Sequence, residues 1–339
     1  MITGAQGFVG RYLVSHLLSS SGTVQILGIG RSPFSTEFFT HSITMGVKRV
    51  QAPLPENLLE VLHSDRYEYK AVDIRDKDAM ISVLRSFRPD VICHMASGLR
   101  DDSPDYLFRT NVEGTIKLME AIADSDVSPA KLLLGSTGGV YGRPSAEELP
   151  LVEEARCRPV DIYSASKLAV EHVSAILARD FGIPTIWCRL FNLVGPGQDE
   201  RHVCGKFASW LAALMRRELP PIIEVGSLHT TRDFLDIRDA ARALQTIMEK
   251  GEPDRAYNIG TGQETTIGEV LTTLITLAGM QDVVRIKQVE ERAEDIPRHF
   301  ANIGRLQLLG FQQGFTLEKS LEDLLHYYNA ISSRKAMAS

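Results

Sequence analysis

Four apolar runs in the first 190 residues, separated by helical patterns, restrict this chain more than any other feature. The runs lie at 24–29, 90–96, 131–135 and 184–190, and the helical patterns at 12–20, 76–87, 104–125 and 161–181. Val91-Ile92-Cys93 and Leu132-Leu133-Leu134 are apolar at every successive position. Side chains of a strand point alternately to its two faces, so a strand without alternation is buried on both. Strands of that kind alternating with helices predict βαβ units: an α/β fold, doubly wound, with a parallel sheet covered on both faces. Only Met1-Ile2 precede Thr3-Gly4, so either the first strand is a stub or the numbering begins after residues that precede it.

Beyond Asn192 the rhythm loosens. Helical patterns at 202–218, 236–250 and 266–278 alternate with short strand-like runs at 222–225 and 256–259, and 283–289 and 317–329 mix both types. The 339 residues suit two domains. The expected division is a dinucleotide-binding domain at 1–190 plus about 233–261, a smaller α/β substrate domain at 191–232 and 262–331, and a flexible tail at 332–339. A net charge of −6 argues against a nucleic-acid partner. No apolar run approaches the roughly 18 residues of a membrane span. Cys93, Cys157, Cys188 and Cys204 lie far apart without a Cys-x-x-Cys, and no basic segment followed by an apolar stretch opens the chain, which points to the reducing cytoplasm. The nine histidines lack metal spacing, so no metal is expected, and His94 reads as a packed strand-end residue.

Thr3-Gly4-Ala5-Gln6-Gly7-Phe8-Val9-Gly10 places three glycines between the strand stub and the first helix. Glycines let backbone N–H groups approach a pyrophosphate, and the helix N-terminus adds its positive dipole end. The next strand ends Gly28-Ile29-Gly30-Arg31-Ser32. An acidic residue there would hold a free ribose 2′-hydroxyl, whereas a cation suits a 2′-phosphate. Arg31 therefore favours NADP(H), with NAD(H) as the alternative. Asp73, in Val72-Asp73-Ile74, follows a further strand and is expected beside the adenine.

Tyr163-Ser164-Ala165-Ser166-Lys167 puts a phenol and an ammonium four residues apart on one helix face. An ammonium beside a phenol is expected to lower its pKa from about 10, which suits proton transfer to or from a sugar hydroxyl. Upstream, Leu134-Gly135-Ser136-Thr137-Gly138-Gly139 sets the Thr137 hydroxyl at the carboxyl end of a central strand, where α/β folds bind ligands.

Glycine turn, strand-end Thr and Tyr-x-x-x-Lys in this order resemble the extended short-chain dehydrogenase/reductase family, its nucleotide-sugar epimerase/dehydratase group. Asn111-Val112-Glu113-Gly114-Thr115, Arg189-Leu190-Phe191-Asn192 with Gly195-Pro196-Gly197-Gln198, Thr231-Arg232-Asp233-Phe234 and Tyr257-Asn258-Ile259-Gly260 extend the resemblance over nearly the whole chain. It implies a Rossmann-type sheet and a catalytic set of Thr137, Tyr163 and Lys167. The dinucleotide would meet Gly4, Gly7, Phe8, Val9 and Gly10, then Arg31, Asp73, Ile74, Ala96 and Asn111, with Tyr163 and Lys167. A nucleotide diphosphate sugar would meet Ser97 and Thr137, with Leu99 and Arg100 nearby, and Asn192, Val203, Lys206, Arg232 and Arg292, the cations serving the diphosphate. The resemblance also implies a homodimer built as a four-helix bundle, in which Ile116, Met119, Ala169, Val173 and Ile176 would lie at the interface or in the core.

Within that family, Pro221-Ile222-Ile223-Glu224-Val225-Gly226, Arg292-Ala293-Glu294-Asp295-Ile296-Pro297 and Leu317-Glu318-Lys319-Ser320-Leu321 are similar to GDP-4-keto-6-deoxymannose reductases and their GDP-mannose 4,6-dehydratase relatives. The family's dehydratases carry acidic residues just after the strand-end Thr. Gly138 and Gly139 stand there instead, which leaves 4-ketoreduction or 4-epimerisation. Arg31 tips the expectation to an NADPH-dependent 4-ketoreductase. A redox-neutral NAD-dependent epimerase is the alternative, and a dinucleotide sensor without catalysis is the remaining reading.

Overall fold

The computed structural model describes residues 1–339 except 46–47, 60, 290–295 and 337–339. The first half runs β1 (Ile2–Thr3), α1 (Phe8–Ser20), β2 (Ile26–Gly30), β3 (Phe38–Met45), β4 (Lys48–Pro53), α2 (Glu56–Leu59), β5 (Tyr67–Ala71), α3 (Lys77–Phe87), β6 (Val91–His94), α4 (Pro104–Leu107), α5 (Gly114–Asp124), β7 (Lys131–Thr137), α6 (Ile162–Phe181) and β8 (Thr185–Leu190). The second runs β9 (Asn192–Val194), α7 (Val203–Met215), β10 (Ile222–Val225), β11 (Thr231–Arg232), β12 (Phe234–Asp236), α8 (Ile237–Lys250), β13 (Arg255–Ile259), β14 (Thr265–Thr266), α9 (Ile267–Leu277), β15 (Arg285–Gln288), α10 (Gly304–Leu308) and α11 (Leu317–Ala336).

Seven parallel strands form the central sheet in the order β13-β8-β7-β6-β1-β2-β5. Order runs outward both ways from β1, the doubly wound pattern that leaves a ligand crevice at the strands' carboxyl ends. Leu132 and Leu134 enter one core with α3, α5 and α6, while Leu133 enters the other with α1 and α8. The unalternating apolar runs thus face helices on both sides. The first strand is the two-residue β1, paired with both β2 and β6.

Strand β13 joins the sheet's edge beside β8, and α8 packs on α1. Around them lie three small pairs, β9 with β12, β10 with β15 and β11 with β14. The mixed segment at 283–289 is strand β15, and α11 continues as helix from Ser332, where a tail was expected, to Ala336.

Two further departures have physical reasons. The pattern at 104–125 is not one helix: α4 and α5 are joined by a π-helical stretch, Phe108–Glu113. The widened turn carries Asn111 inward, where its Oδ1 accepts from the Gly98 N–H at 2.8 Å and its Nδ2 donates to Ser166 Oγ at 2.8 Å. The antiparallel hairpin β3–β4 was not anticipated at all. It leaves the sheet after β2 and docks on the second half of the chain. Phe39 and Ile43 are wholly buried, Ser209 Oγ donates to the Thr44 carbonyl at 3.0 Å, and Tyr327 Oη donates to the Pro53 carbonyl at 2.8 Å.

Candidate active site

The glycine turn connects β1 to α1 against the loop that follows β6. Gly4 has φ +67, and a Cβ on it would lie 2.7 Å from Ala96 N. A Cβ on Gly10 would lie 2.2 Å from the Gly4 carbonyl oxygen. Neither position has room for a side chain, so the turn stays tight against its neighbours, and its backbone with the N-terminus of α1 at Phe8 and Val9 fits a pyrophosphate lying close on it.

At the end of β2 the Arg31 guanidinium stands over the Tyr106 ring, 5.4 Å from its centroid, and donates to the Tyr106 hydroxyl. Asp73 is bound by Arg75 at 2.8 Å, which holds its carboxyl below the usual range, with Arg31 adding to the effect. Ile74 sits in the core, its side chain under Gly114. Asn111 spends its amide on Ser97, Gly98 and Ser166, bracing the loop after β6 against α6.

Helix α6 begins at the Asp161 cap, whose carboxylate accepts from the Ser164 N–H at 2.8 Å, and ends on Gly182 in the left-handed region. Its first turns carry Tyr163 and Lys167. The Lys167 Nζ donates to the Gly135 carbonyl at 2.9 Å and lies 6.0 Å from the Tyr163 ring centroid. Burial brings the Lys167 ammonium down to about 8, against the pull of Glu171. The phenol does not show the expected lowering. Burial raises the Tyr163 pKa above 10, and the opposing influences are the Arg100 guanidinium, 5.8 Å from the ring centroid, and a hydrogen bond with Ser97. The Lys167 ammonium is turned to the strand carbonyl, and the phenol's desolvation outweighs its cations.

Thr137 ends β7, and its Oγ1 accepts from the Gly139 N–H at 3.1 Å. A Cβ at Gly138 would meet the Phe191 ring at 3.0 Å, and one at Gly139 would meet Ser164 Oγ at 2.4 Å. The space where a side chain would follow Thr137 is taken by neighbours. His299 packs on Phe191 with ring centroids 5.2 Å apart, and burial near Arg232 and Arg100 takes it down to about 4.

Of the other expected substrate residues, Asn192 lies on β9 and donates through Nδ2 to the Asp233 carbonyl at 3.3 Å. Arg232 donates to the Ile296 carbonyl at 2.7 Å. Val203 opens α7. Lys206 is exposed on α7 and acts on Glu224 of β10. Arg292 lies outside the described residues. His94 is buried between Thr3 Oγ1 at 2.7 Å and Thr115 Oγ1 at 3.2 Å, as a packed strand-end histidine would be. Met119 is wholly buried in its own core, so it does not belong to an outer interface face.

Sequence reasoning passed over the pair behind the helix. Arg189 of β8 grips Glu171 through two hydrogen bonds, Nε to Oε1 at 3.0 Å and Nη2 to Oε2 at 2.7 Å, with both side chains buried. The available signal was an arginine inside an otherwise apolar strand and a glutamate one turn past Lys167.

A Gly-lined cradle on a doubly wound sheet, a strand-end threonine and a helix-borne Tyr–Lys pair define a dinucleotide-dependent enzyme of the short-chain dehydrogenase/reductase type. The chain belongs to the NAD dependent epimerase/dehydratase family, whose profile matches residues 1–260. Such enzymes are epimerases, dehydratases and reductases of nucleotide sugars. The chain is 28% identical over 340 residues to the GDP-6-deoxy-D-mannose reductase of Pseudomonas aeruginosa, covering 96% of this chain and 95% of that one. It is 27% identical to a trifunctional UDP-glucose 4,6-dehydratase/3,5-epimerase/reductase of Arabidopsis thaliana, covering 97% of this chain but only 46% of that longer protein. Among solved structures it resembles RMD from Pseudomonas aeruginosa complexed with NADPH, at TM-score 0.77 and 25% identity, covering 97% of this chain and 98% of that one. It also resembles the Thermus thermophilus UDP-glucose 4-epimerase complex with NAD, at TM-score 0.75 and 25% identity, covering 96% and 97%. Among the described residues no helix is long and apolar enough to cross a membrane, and no cluster of side chains could hold a metal ion.

Proposed function

We propose that this protein is an NADPH-dependent reductase of the C4 keto group of a nucleotide-linked 4-keto-6-deoxy sugar, working in the cytoplasm as a homodimer. The observation that carries the choice is the end of β2, where Arg31 stands and no acidic residue lies between Gly28 and Ser32, while Asp73, which follows β5, is already bound by Arg75. A 2′-phosphate has a cation to meet there, and a bare ribose has no free carboxylate. The similarity to a reductase of GDP-6-deoxy-D-mannose and to an NADPH complex supports the same reading.

The dinucleotide would lie on Gly4, Gly7 and Gly10, and when bound it supplies a hydride at the nicotinamide. Tyr163 would hold the proton that the C4 oxygen takes up. Its raised pKa keeps the phenol protonated, as a donor requires. Thr137 would share the same oxygen through its hydroxyl, and the Lys167 ammonium would stabilise the phenolate left behind. Asn192, Val203, Lys206, Arg232 and Arg292 would hold the nucleotide diphosphate, with Ser97 at the sugar. The packing at Gly138 and Gly139 leaves no place for the acidic pair that dehydration uses. Partly exposed Ala169 and Val173, with exposed Ile176 on α6, and Ile116 on α5 would meet their copies in the dimer.

The test is incubation with a panel of nucleotide 4-keto-6-deoxy sugars, following NADPH absorbance. Consumption by one of them, with roughly tenfold loss of NADPH preference over NADH in Arg31→Ala, is the expected outcome. Tightly retained NAD in the purified protein and a redox-neutral change of the sugar would establish the epimerase instead.

A further inference from the structure

We propose that Glu171 is the positioning residue of the Tyr163–Lys167 pair, clamped by Ser136 and Arg189 so that α6 stays in register with the end of β7 and a negative charge stays fixed behind the ammonium. The inference rests on the roles given to Tyr163 and Lys167 above and extends them to a residue that touches neither cofactor nor substrate.

The geometry is a ladder between one helix and one strand. Lys167 takes the carbonyl of Gly135 at 2.9 Å. One turn further on, Glu171 Oε1 accepts from the hydroxyl of Ser136, the next residue of the strand, at 2.5 Å. The residue after that is Thr137. Successive turns of α6 therefore grip successive residues of β7, and a slip in either rung would displace the Thr137 hydroxyl from the Tyr163 face. Arg189, from the neighbouring strand β8, closes the clamp with its two hydrogen bonds to the same carboxylate. Its remaining arm reaches Tyr141 Oη at 2.9 Å and the Glu153 carbonyl at 2.8 Å, and Tyr141 passes on to Asn258 Oδ1 of β13 at 2.6 Å. The carboxylate is thus held from three strands of the sheet.

A buried carboxylate with two cations to serve does electrostatic as well as mechanical work. Around the Lys167 ammonium stand Glu171 and Tyr163 on its own helix and His94 from β6, which burial keeps neutral down to about 3. Around the Glu171 carboxylate stand Lys167, Arg189 and the thiols of Cys157 and Cys188, which burial holds protonated. Among the described residues Glu171 is therefore the negative charge that acts on Lys167, and it keeps the ammonium protonated further up the pH scale. Without that charge the ammonium would lose its proton at lower pH, and the phenolate its partner.

The test reads Lys167 directly. In unliganded protein carrying isotope-labelled lysine, the side-chain resonance of Lys167 is identified by its loss in Lys167→Met and titrated by NMR. The wild-type midpoint is expected at about 8, with a fall of about one pH unit or more in Glu171→Gln and a return toward wild type in Glu171→Asp. Turnover of Glu171→Gln should fall only about twofold at pH 7 but approach a tenfold loss by about pH 9, its pH profile displaced downward by the same amount as the midpoint. A merely structural role would lower turnover equally at every pH. If Glu171→Gln does not fold, Glu171→Gln with Arg189→Met removes the guanidinium that would be left without its carboxylate and carries the same titration. An unmoved Lys167 midpoint overturns the proposal. Full turnover in Lys167→Met overturns instead the catalytic assignment beneath it.

Discussion

At the scale of single residues, the site separates proton chemistry from binding. Tyr163 offers a phenol to the site, while the glycine turn that would carry the dinucleotide lies on other strands. Tyr163→Phe should therefore cut turnover by about 10²–10⁴-fold while leaving NADPH affinity within about twofold by fluorescence titration; comparable loss of both would make Tyr163 a binding residue. Two imidazoles set a second expectation. Burial takes His94 down to about 3 and His299 to about 4, against 6.5 in the open chain. The native state keeps both neutral while the unfolded chain gains protons below pH 6.5, so stability falls as pH drops below that value. The slope approaches about 1.4 kcal/mol per pH unit for each imidazole. Urea midpoints between pH 7 and pH 5 should show this fall, and a variant with His94→Gln and His299→Gln should show a shallower one.

At the scale of elements, most of the main sheet and the Tyr–Lys helix could be read from the chain, because their signals are local. An unalternating apolar strand carries its own evidence of two-sided burial, and Tyr163 and Lys167 are one helical turn apart. The hairpin β3–β4 carries no such signal. Its residues, such as Thr40, His41 and Ser42 between Phe39 and Ile43, look like a polar loop until α7 and α11 cover them. The π-helical turn was hidden for the same reason, since Asn111 turns inward to meet Gly98 and Ser166, which lie far away in sequence. The Glu171–Arg189 clamp joins two helix and strand positions that neither pattern couples. Phe39 shows how much the hairpin matters. Its ring is wholly buried, against Phe8 with centroids 6.1 Å apart and against the Gly197 backbone. Phe39→Ala should cost about 3–5 kcal/mol in chemical denaturation; a loss under about 1 kcal/mol would mean that the hairpin is a loose flap.

At the scale of the whole molecule, the two halves are sewn together several times. Strand β13 and helix α8 return to the first sheet, and Tyr12 Oη donates to the Pro196 carbonyl at 2.8 Å. The hairpin adds His41 beside the Gly197 carbonyl at 2.7 Å. Such cross-links should make unfolding cooperative, so calorimetry of the unliganded protein is expected to give one transition with calorimetric and van't Hoff enthalpies in agreement. Two resolved transitions would mean that the halves melt independently.

The hairpin also has a consequence for how the chain is made. Its cover includes Tyr327, 274 residues after the Pro53 carbonyl that it meets. On a ribosome adding about 5–20 residues per second, Phe39 and Ile43 would wait roughly a quarter of a minute or more for α11 to emerge. During that interval an apolar strand pair is open to other chains. Yield from rapid overexpression should then depend on slowed translation or a chaperone that shelters the early segment, even though the finished enzyme holds the hairpin firmly.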